Sequence, residues 1–145
     1  MPHRLPITPS TKPVMTVFRR AIRAKRLVYL ICTPRPQKYD RGRSRIVYIG
    51  TTGIGVRRVA ASMAGKAIKF LTHHGVKYLD VFTITCPPRP GTRSWTHLER
   101  DLLIAFKFEF GSVPAANTSG KNLSPDKLSG LFQYRRLLKV LRARG

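Results

Sequence analysis

Residues 27–32, LVYLIC, and residues 45–50, RIVYIG, are the two stretches of sequence that decide the fold. Each contains a run of apolar, β-branched and aromatic side chains that is as short as a typical strand. The segment between them, residues 33–44, is rich in proline and arginine and predicts an exposed basic loop. Two neighbouring β-strands joined by this loop are therefore the expected centre of the protein.

Further elements are predicted on both sides of this pair of strands. Apolar residues recur at helical spacing over Val56–Thr72 and again, on one face, over Ser94–Phe110. Between these helices, Tyr78–Cys86 is a third β-favouring run, which ends at the proline-rich segment 87–91. Terminal helices are expected over Val14–Lys25 and Lys127–Arg142. The order is helix, strand, strand, helix, strand, helix, helix, which indicates one α/β unit.

The composition is strongly basic. The 145 residues, of which 42% are hydrophobic, suffice for one compact domain and hardly for two. Lys and Arg number 28 against 6 Asp and Glu, a net charge of +22 that is spread along the chain. Most faces should therefore be positive, and the expected partner is a polyanion.

Membrane association and secretion are not indicated. The apolar stretches are strand-length, whereas a bilayer span needs roughly 20 apolar residues. Four prolines between Pro2 and Pro13 interrupt the apolar segment that a signal peptide requires. We expect a cytoplasmic protein, associated with the nucleoid in a bacterium. The basic, acid-free N-terminus leaves organelle targeting open.

The possible metal ligands are few. Cys32 and Cys86 each end an apolar run, lack paired CxxC spacing and are expected to be buried thiols, and no histidines have HExxH spacing. Zinc is therefore not expected. The acids are scattered over predicted loops, strands and helices: Asp40, Asp80, Glu99, Asp101, Glu109 and Asp126. Such a distribution does not favour a two-metal site, so a divalent metal should have one protein carboxylate.

Glu99 is the candidate for that carboxylate. Its helical neighbours are apolar, namely Trp95, Leu102, Leu103 and Phe106, which places it on the border of the apolar stripe. A carboxylate in that position costs free energy unless a cation or a hydrogen-bond donor meets it. An ion pair with an arginine, for example Arg100, is the alternative, and spacing alone does not separate the two.

An ordered set of residues resembles the GIY-YIG nuclease domain. The set comprises Val28-Tyr29-Leu30, Tyr48-Ile49-Gly50, an arginine in the following helix, a glutamate early in a later helix, and Asn117 after a Pro-Ala-Ala turn. The resemblance covers roughly Leu27–Asn117. It implies an α/β (α+β) fold with a small three-stranded antiparallel sheet flanked by helices, and phosphodiester hydrolysis with one metal ion. We accordingly expect a basic Pro-rich arm and short helix over 1–26, the GIY-YIG-like domain over 27–122, and a basic C-terminal helix over 123–145.

The resemblance also implies roles for individual residues. Tyr48 is the candidate general base for the attacking water, and Tyr29 should lie beside it on the adjacent strand. Arg58 would hold the scissile phosphate, with Arg57 as its rival because both lie off the apolar face of their helix. Glu99 would hold Mg²⁺ or another divalent cation, and Asn117 would support the site by hydrogen bonding. The position one turn beyond the arginine, often His or Tyr in the family, is Ser62, and the segment between the two tyrosines is longer than usual.

Nucleic-acid contacts are expected from basic side chains that bind the backbone without reading sequence. The candidates are Arg35, Lys38, Arg41, Arg43, Arg45, Arg57, Lys66 and Lys121. Tyr39, Trp95 and Tyr134 offer rings for stacking on unpaired bases, although core packing is favoured for Trp95. Two hypotheses result. One is a metal-dependent endonuclease, acting on DNA in preference to RNA, and the other is a non-catalytic nucleic-acid-binding protein on the same scaffold, for example in a ribonucleoprotein.

Overall fold

The computed structural model of the chain describes residues 5–13, 16, 23–72, 75–118, 120 and 122–144. Its centre is a three-stranded antiparallel sheet in the order β2-β1-β3, formed by β1 (Leu27–Tyr39), β2 (Gly42–Thr52) and β3 (Asp80–Ile84). The helices are α1 (Val56–Ala67), α2 (Ser94–Phe110) and α3 (Tyr134–Arg142). This arrangement confirms the predicted small α+β fold. None of the helices in these described ranges is long and apolar enough to cross a membrane.

The prediction of a basic loop over residues 33–44 is wrong, because β1 continues to Tyr39 and β2 begins at Gly42. Only Asp40 and Arg41 form the turn between the strands. The prolines fall where the ladder between β1 and β2 is interrupted, so their missing N–H groups cost no ladder bond. Side-chain bonds close the gap, since Arg45 Nε donates to the Thr33 carbonyl over 3.0 Å. The result is a long hairpin with an irregular middle.

Other predicted boundaries also need correction. The helix predicted over Val56–Thr72 ends at Ala67 and continues as a π-helical turn, Ile68–Thr72, and the third strand is only five residues long. The C-terminal helix begins at Tyr134 rather than at Lys127. The buried Asp101 carboxylate of α2 accepts hydrogen bonds from the Ser129 backbone N–H at 3.0 Å and hydroxyl at 2.6 Å, which fixes the preceding segment in a non-helical path.

The predicted N-terminal helix, Val14–Lys25, falls mostly on residues outside the described ranges. Arg23–Lys25 are described, and they are not helical.

The two faces of the sheet carry separate cores because side chains alternate along a strand. On one face, Val28, Leu30 and Cys32 pack against α2 and α3. On the other, Leu27, Tyr29 and Ile31 pack with residues of α1 and the π-helical turn. The buried side chains of α3, Leu137 and Leu141, lie in the α2-side core, so the C-terminal helix packs as part of the same molecule.

A β-bulge in β2 changes this alternation at one position. Ile31 pairs with Tyr48 and Cys32 pairs with Ile46, which leaves Val47 as an extra residue on β2. Val47 and Tyr48 consequently both lie on the α1 side of the sheet. The bulge thereby places Tyr48 on the same face as Tyr29.

Candidate active site

Tyr29 and Tyr48 lie side by side on the α1 face, with ring centroids 5.8 Å apart and ring planes tilted by 41°. Tyr29 pairs with Gly50 across the two strands. A Cβ atom at Gly50 would lie 2.5 Å from Cε1 of Tyr48 and 2.7 Å from Cζ of Tyr29. These distances are too short for any side chain larger than hydrogen. The glycine of the Tyr-Ile-Gly triplet is therefore the residue that lets the two rings approach.

The environment of the Tyr29 phenol keeps it neutral. Its side chain is 2% exposed, and this burial raises the pKa of Tyr29 to about 12. The neighbouring Tyr48 phenol acts in the same direction, whereas a hydrogen bond with the Ser62 hydroxyl and the charge of Arg58 lower the pKa. A neutral phenol donates a hydrogen bond, so Tyr29 is suited to orienting a neighbouring oxygen atom. Tyr48 is only partly buried and is the more accessible phenol of the pair.

The structure distinguishes Arg58 from Arg57. Both side chains are exposed on α1, and the charge of Arg58 lowers the pKa of the Tyr29 phenol. Ser62, which bonds with Tyr29, lies one turn after Arg58 on the same face of the helix. A further cation comes from Lys66, whose Nζ lies 4.6 Å from the centre of the Tyr48 ring. The tyrosine pair is thus faced by two cations and one hydroxyl.

Asn117 fixes the strand that carries Tyr48. Its Nδ2 donates to the Ile49 carbonyl at 2.9 Å and its Oδ1 accepts from the Ile49 N–H at 3.0 Å. The adjacent Ala116 N–H donates to the Val47 carbonyl at 2.8 Å, so this segment lies along the outer edge of β2. The Asn117 N–H also closes a turn by donating to the Pro114 carbonyl at 2.9 Å. Asn117 therefore supports the site through the backbone beside Tyr48.

Glu99 comes from the other layer of the molecule. It lies on α2, which packs on the face of the sheet opposite the tyrosine rings. Its carboxylate is partly buried, and burial raises the pKa of Glu99 above its usual value. No described residue forms an ion pair or hydrogen bond with the Glu99 side chain, and Arg100 is exposed. The structure thus brings Tyr29, Tyr48 and Arg58 together, and Glu99 does not contact them.

The other acidic side chains offer no metal cluster. Most are engaged elsewhere: Asp80 pairs with Arg45 at 3.6 Å, Glu109 with Arg142 at 3.0 Å, and Asp101 with Ser129. Within the described residues no group of three or more His, Cys, Asp or Glu could hold a metal ion. Cys32 and Cys86 are free thiols, the first buried and the second half-buried. Mg²⁺ commonly takes one or two carboxylates and draws its other ligands from water and phosphate, and the unpaired Glu99 fits that donor set.

The basic residues predicted to contact nucleic acid fall into two groups. Arg35, Lys38, Arg43 and Arg57 are exposed, and their side chains form no ion pair or hydrogen bond with the other described residues. Arg41 instead donates to the carbonyls of Lys107 and Phe108 at the end of α2, and Arg45 is held by Thr33 and Asp80. Lys121 lies outside the described residues. The hairpin therefore presents three exposed cations that are free to bind a partner, at 35, 38 and 43, beside two that stabilise the fold.

Comparisons of the chain with models of protein families, with curated proteins and with solved structures find no match. The functional argument accordingly depends on the geometry of the site. Sequence reasoning missed the contact of Ser62 with Tyr29 and the steric role of Gly50. The four-residue spacing between Arg58 and Ser62, which places both on one helical face, is the signal that could have revealed the first.

Proposed function

We propose that the protein is a metal-dependent endonuclease of the GIY-YIG type, which hydrolyses phosphodiester bonds of nucleic acid, with DNA as the first substrate to test. The observation that carries the proposal is the cluster on the α1 face, in which the buried Tyr29 phenol lies beside the Tyr48 ring and interacts with Ser62 and Arg58. The net charge of +22 supports a polyanionic substrate. A site with two phenols and a phosphate-binding cation suits attack of water on a phosphodiester.

In this mechanism the residues of the α1 face bind the phosphate and move one proton. Arg58 donates to the scissile phosphate and offsets the negative charge that grows on it. Tyr48 takes the proton of the attacking water, while Tyr29, neutral because of its burial, donates a hydrogen bond to the Tyr48 phenol and orients it. A free phenol ionises near pH ~10, so this role requires cations close by. Lys66, at 4.6 Å from the Tyr48 ring, and Arg58 are those cations.

Glu99 is the residue that would hold Mg²⁺ or another divalent cation. An ion held there would supply Lewis-acid stabilisation of the negative charge that develops during cleavage. The support is that Glu99 is partly buried and has no ion-pair partner among the described residues, in a chain with 28 basic residues. A purely structural glutamate would readily find an arginine in such a protein.

The test is cleavage of labelled single-stranded DNA, duplex DNA and RNA with Mg²⁺ or EDTA. We expect Mg²⁺-dependent cutting by the native protein and a loss on the order of a hundredfold or more in Glu99→Gln and in Arg58→Ala. Two variants are matched controls. Glu109→Gln removes a carboxylate from the same helix, and Arg57→Ala removes the same charge from the neighbouring position, so both should still cut. Undiminished cutting by Glu99→Gln would contradict the metal role.

A second measurement reports on Glu99 without relying on activity. Because burial raises the folded-state pKa of Glu99, its contribution to stability is present below the unfolded pKa and is lost as pH rises through the folded pKa. At neutral pH in EDTA, Glu99→Gln should therefore leave the free energy of unfolding unchanged or increase it. Mg²⁺ should stabilise the native protein and not the variant. A large loss of stability in EDTA would instead indicate a structural role.

The competing function is that of a non-catalytic nucleic-acid-binding protein on the same scaffold. The specific observation in its favour is the charge excess, together with the exposed Arg35, Lys38 and Arg43 on the hairpin. The same assay separates the two functions. Tight binding of all three substrates without cutting of any would favour the binding protein.

A further inference from the structure

A groove of about 610 Å³ opens at the beginning of α2, outside the cluster on the α1 face. Its lining includes three arginines, one tryptophan and two prolines, namely Arg26, Arg89, Arg93, Trp95, Pro88 and Pro90. The three arginines are exposed, and none of the described residues that line the groove is acidic. The groove therefore combines a concentrated positive charge with an aromatic surface.

The backbone that presents these arginines is well defined. The Thr92 N–H donates to the Arg89 carbonyl at 3.1 Å and closes a turn in which Pro90 precedes Gly91, whose φ is 70°. Proline followed by a residue with positive φ is the pattern of a type II turn. At the helix start, the Arg93 carbonyl accepts from the Thr96 N–H at 3.0 Å and from its hydroxyl at 2.7 Å. Arg89 and Arg93 are thus held at fixed positions, next to a helix N-terminus that also favours anions.

A stacking platform forms one wall of the groove. The Arg26 guanidinium carbon lies 4.8 Å from the centre of the Trp95 ring, and the Trp95 side chain is only partly buried. Indole rings and guanidinium planes are both surfaces on which unpaired bases stack. Arg26 directly precedes β1, so the platform joins the beginning of α2 to the end of the sheet where Tyr29 lies.

We infer that this groove binds an unpaired nucleotide, with the base stacked on Arg26 and Trp95 and the flanking phosphates held by Arg89 and Arg93. This inference rests on the proposed function, because Glu99 lies one helical turn after Trp95 and the strand in the groove would run past it. The substrate class is then a nucleic acid with unpaired bases, either a single strand or a duplex with a single-stranded extension. An acidic peptide would satisfy the arginines but would leave the aromatic platform unused.

Trp95 is the only tryptophan of the chain, so its fluorescence reports on the groove directly. The intact protein is titrated in EDTA with single-stranded oligodeoxyuridylate and oligouridylate of about twelve nucleotides, a size suited to such sites. An abasic strand of equal length, a blunt duplex and polyglutamate are the comparisons. We expect quenching by both base-bearing strands and affinity about tenfold higher than for the abasic strand, because only the stacking contribution differs. A preference for one of the two strands identifies the sugar.

Two sets of variants assign the effect to the groove. Trp95→Leu should bind base-bearing and abasic strands equally in an anisotropy assay, whereas Trp95→Phe should keep most of the preference. Arg89→Ala combined with Arg93→Ala should weaken binding of every strand more than Arg135→Ala combined with Arg136→Ala, which removes two exposed charges from α3.

Equal affinity of the native protein for base-bearing and abasic strands, or equal quenching by polyglutamate, would overturn the inference. The EDTA titration is independent of cleavage. If the protein binds base-bearing strands more tightly than abasic ones but never cuts, only the proposed nuclease activity is contradicted. If it cuts but binds both kinds of strand equally, only the proposed nucleotide-binding groove is contradicted.

Discussion

Gly50 occupies the most crowded position between the two tyrosine rings. In Gly50→Ala the added methyl group would overlap both rings, and Tyr29 is too deeply buried to move aside. We expect a loss of about 1–3 kcal/mol in the free energy of unfolding, measured by urea denaturation, together with loss of cutting. Gly65→Ala is the matched control. Its Cβ atom would meet nothing within 4 Å inside α1, so it should stabilise the protein by about 0.5–1 kcal/mol. A Gly50→Ala variant as stable as the native protein would refute the steric role.

The Tyr29 phenol should make the stability depend on pH in the alkaline range. Its folded-state pKa of about 12 lies above the ordinary value of 10.0. The stability from the buried neutral phenol is therefore fully present below pH 10 and is lost as the pH rises towards 12. We expect a decline on the order of 2 kcal/mol across this window that Tyr29→Phe does not share. The exposed Tyr78 provides the control variant, Tyr78→Phe. An identical decline in Tyr29→Phe would assign the effect to another group.

At the level of single residues, the sequence predicted that the two tyrosines lie side by side, but it did not predict which arginine lies near them. Tyr29 and Tyr48 could be placed side by side because each lies within a recognisable strand. Arg57 and Arg58 could not be distinguished, since both lie off the apolar face of the helix. Their separation depends on how α1 is rotated against the sheet, and that rotation is set by tertiary packing of residues such as Val59.

Among the elements, the outer edge of β2 depends most directly on a single side chain. Asn117→Ala would remove both hydrogen bonds to Ile49 and leave the edge of the strand beside Tyr48 without these partners. We expect a loss of about 1–3 kcal/mol in urea unfolding and reduced cutting, because Tyr48 is no longer held in register. Asn122→Ala changes an exposed asparagine in the same region and should be neutral. Equal effects of the two substitutions would show that the edge contact is unimportant.

Sequence patterns predicted the bounds of an element well where those bounds are set by neighbouring residues in the chain. Both bounds of α2 follow from its apolar periodicity, the prolines before it and the turn-rich segment after it. The hairpin was misread because prolines and arginines are typical of loops, whereas here the prolines fall in a gap of the ladder. The C-terminal helix was predicted too long, because the contact between Asp101 and Ser129 spans 28 residues and leaves no local signal.

At the scale of the whole molecule, the excess of basic side chains should govern affinity for nucleic acid. If phosphate contacts dominate, the logarithm of the binding constant should fall with that of the salt concentration, with a slope of roughly −0.9 per contacted phosphate on duplex DNA. Arg43→Gln should reduce this slope by about one contact. Arg45→Gln is the control, because Arg45 is held by Thr33 and Asp80 and its loss should affect stability instead. A flat salt response would contradict binding through the phosphate backbone.

The composition predicted a polyanionic partner but not which faces would meet it. Several cations stabilise the fold through their own contacts, such as Arg41 at the end of α2 and Arg45 beside Asp80. Three others, Arg26, Arg89 and Arg93, line the groove beside Trp95, although Arg26 is far from the other two in the chain. Only folding brings these arginines together, and amino-acid composition does not predict which residues become neighbours in the fold.

The bulge at Val47 determines which side of the sheet the later residues of β2 face. Along a regular strand, odd and even positions face opposite sides of the sheet. One extra residue therefore reverses the side that each later residue of the strand faces. Counted from the turn at Asp40 and Arg41, Tyr48 lies on the α1 side because Val47 is an extra residue that has no partner on β1. Lengthening or shortening the hairpin tip by whole pairs of residues would preserve this count. Deletion of Val47 alone would remove the bulge and join Tyr48 directly to Ile46, so that Ile46 would still pair with Cys32, Tyr48 with Ile31, and the Tyr48 phenol would still face α1.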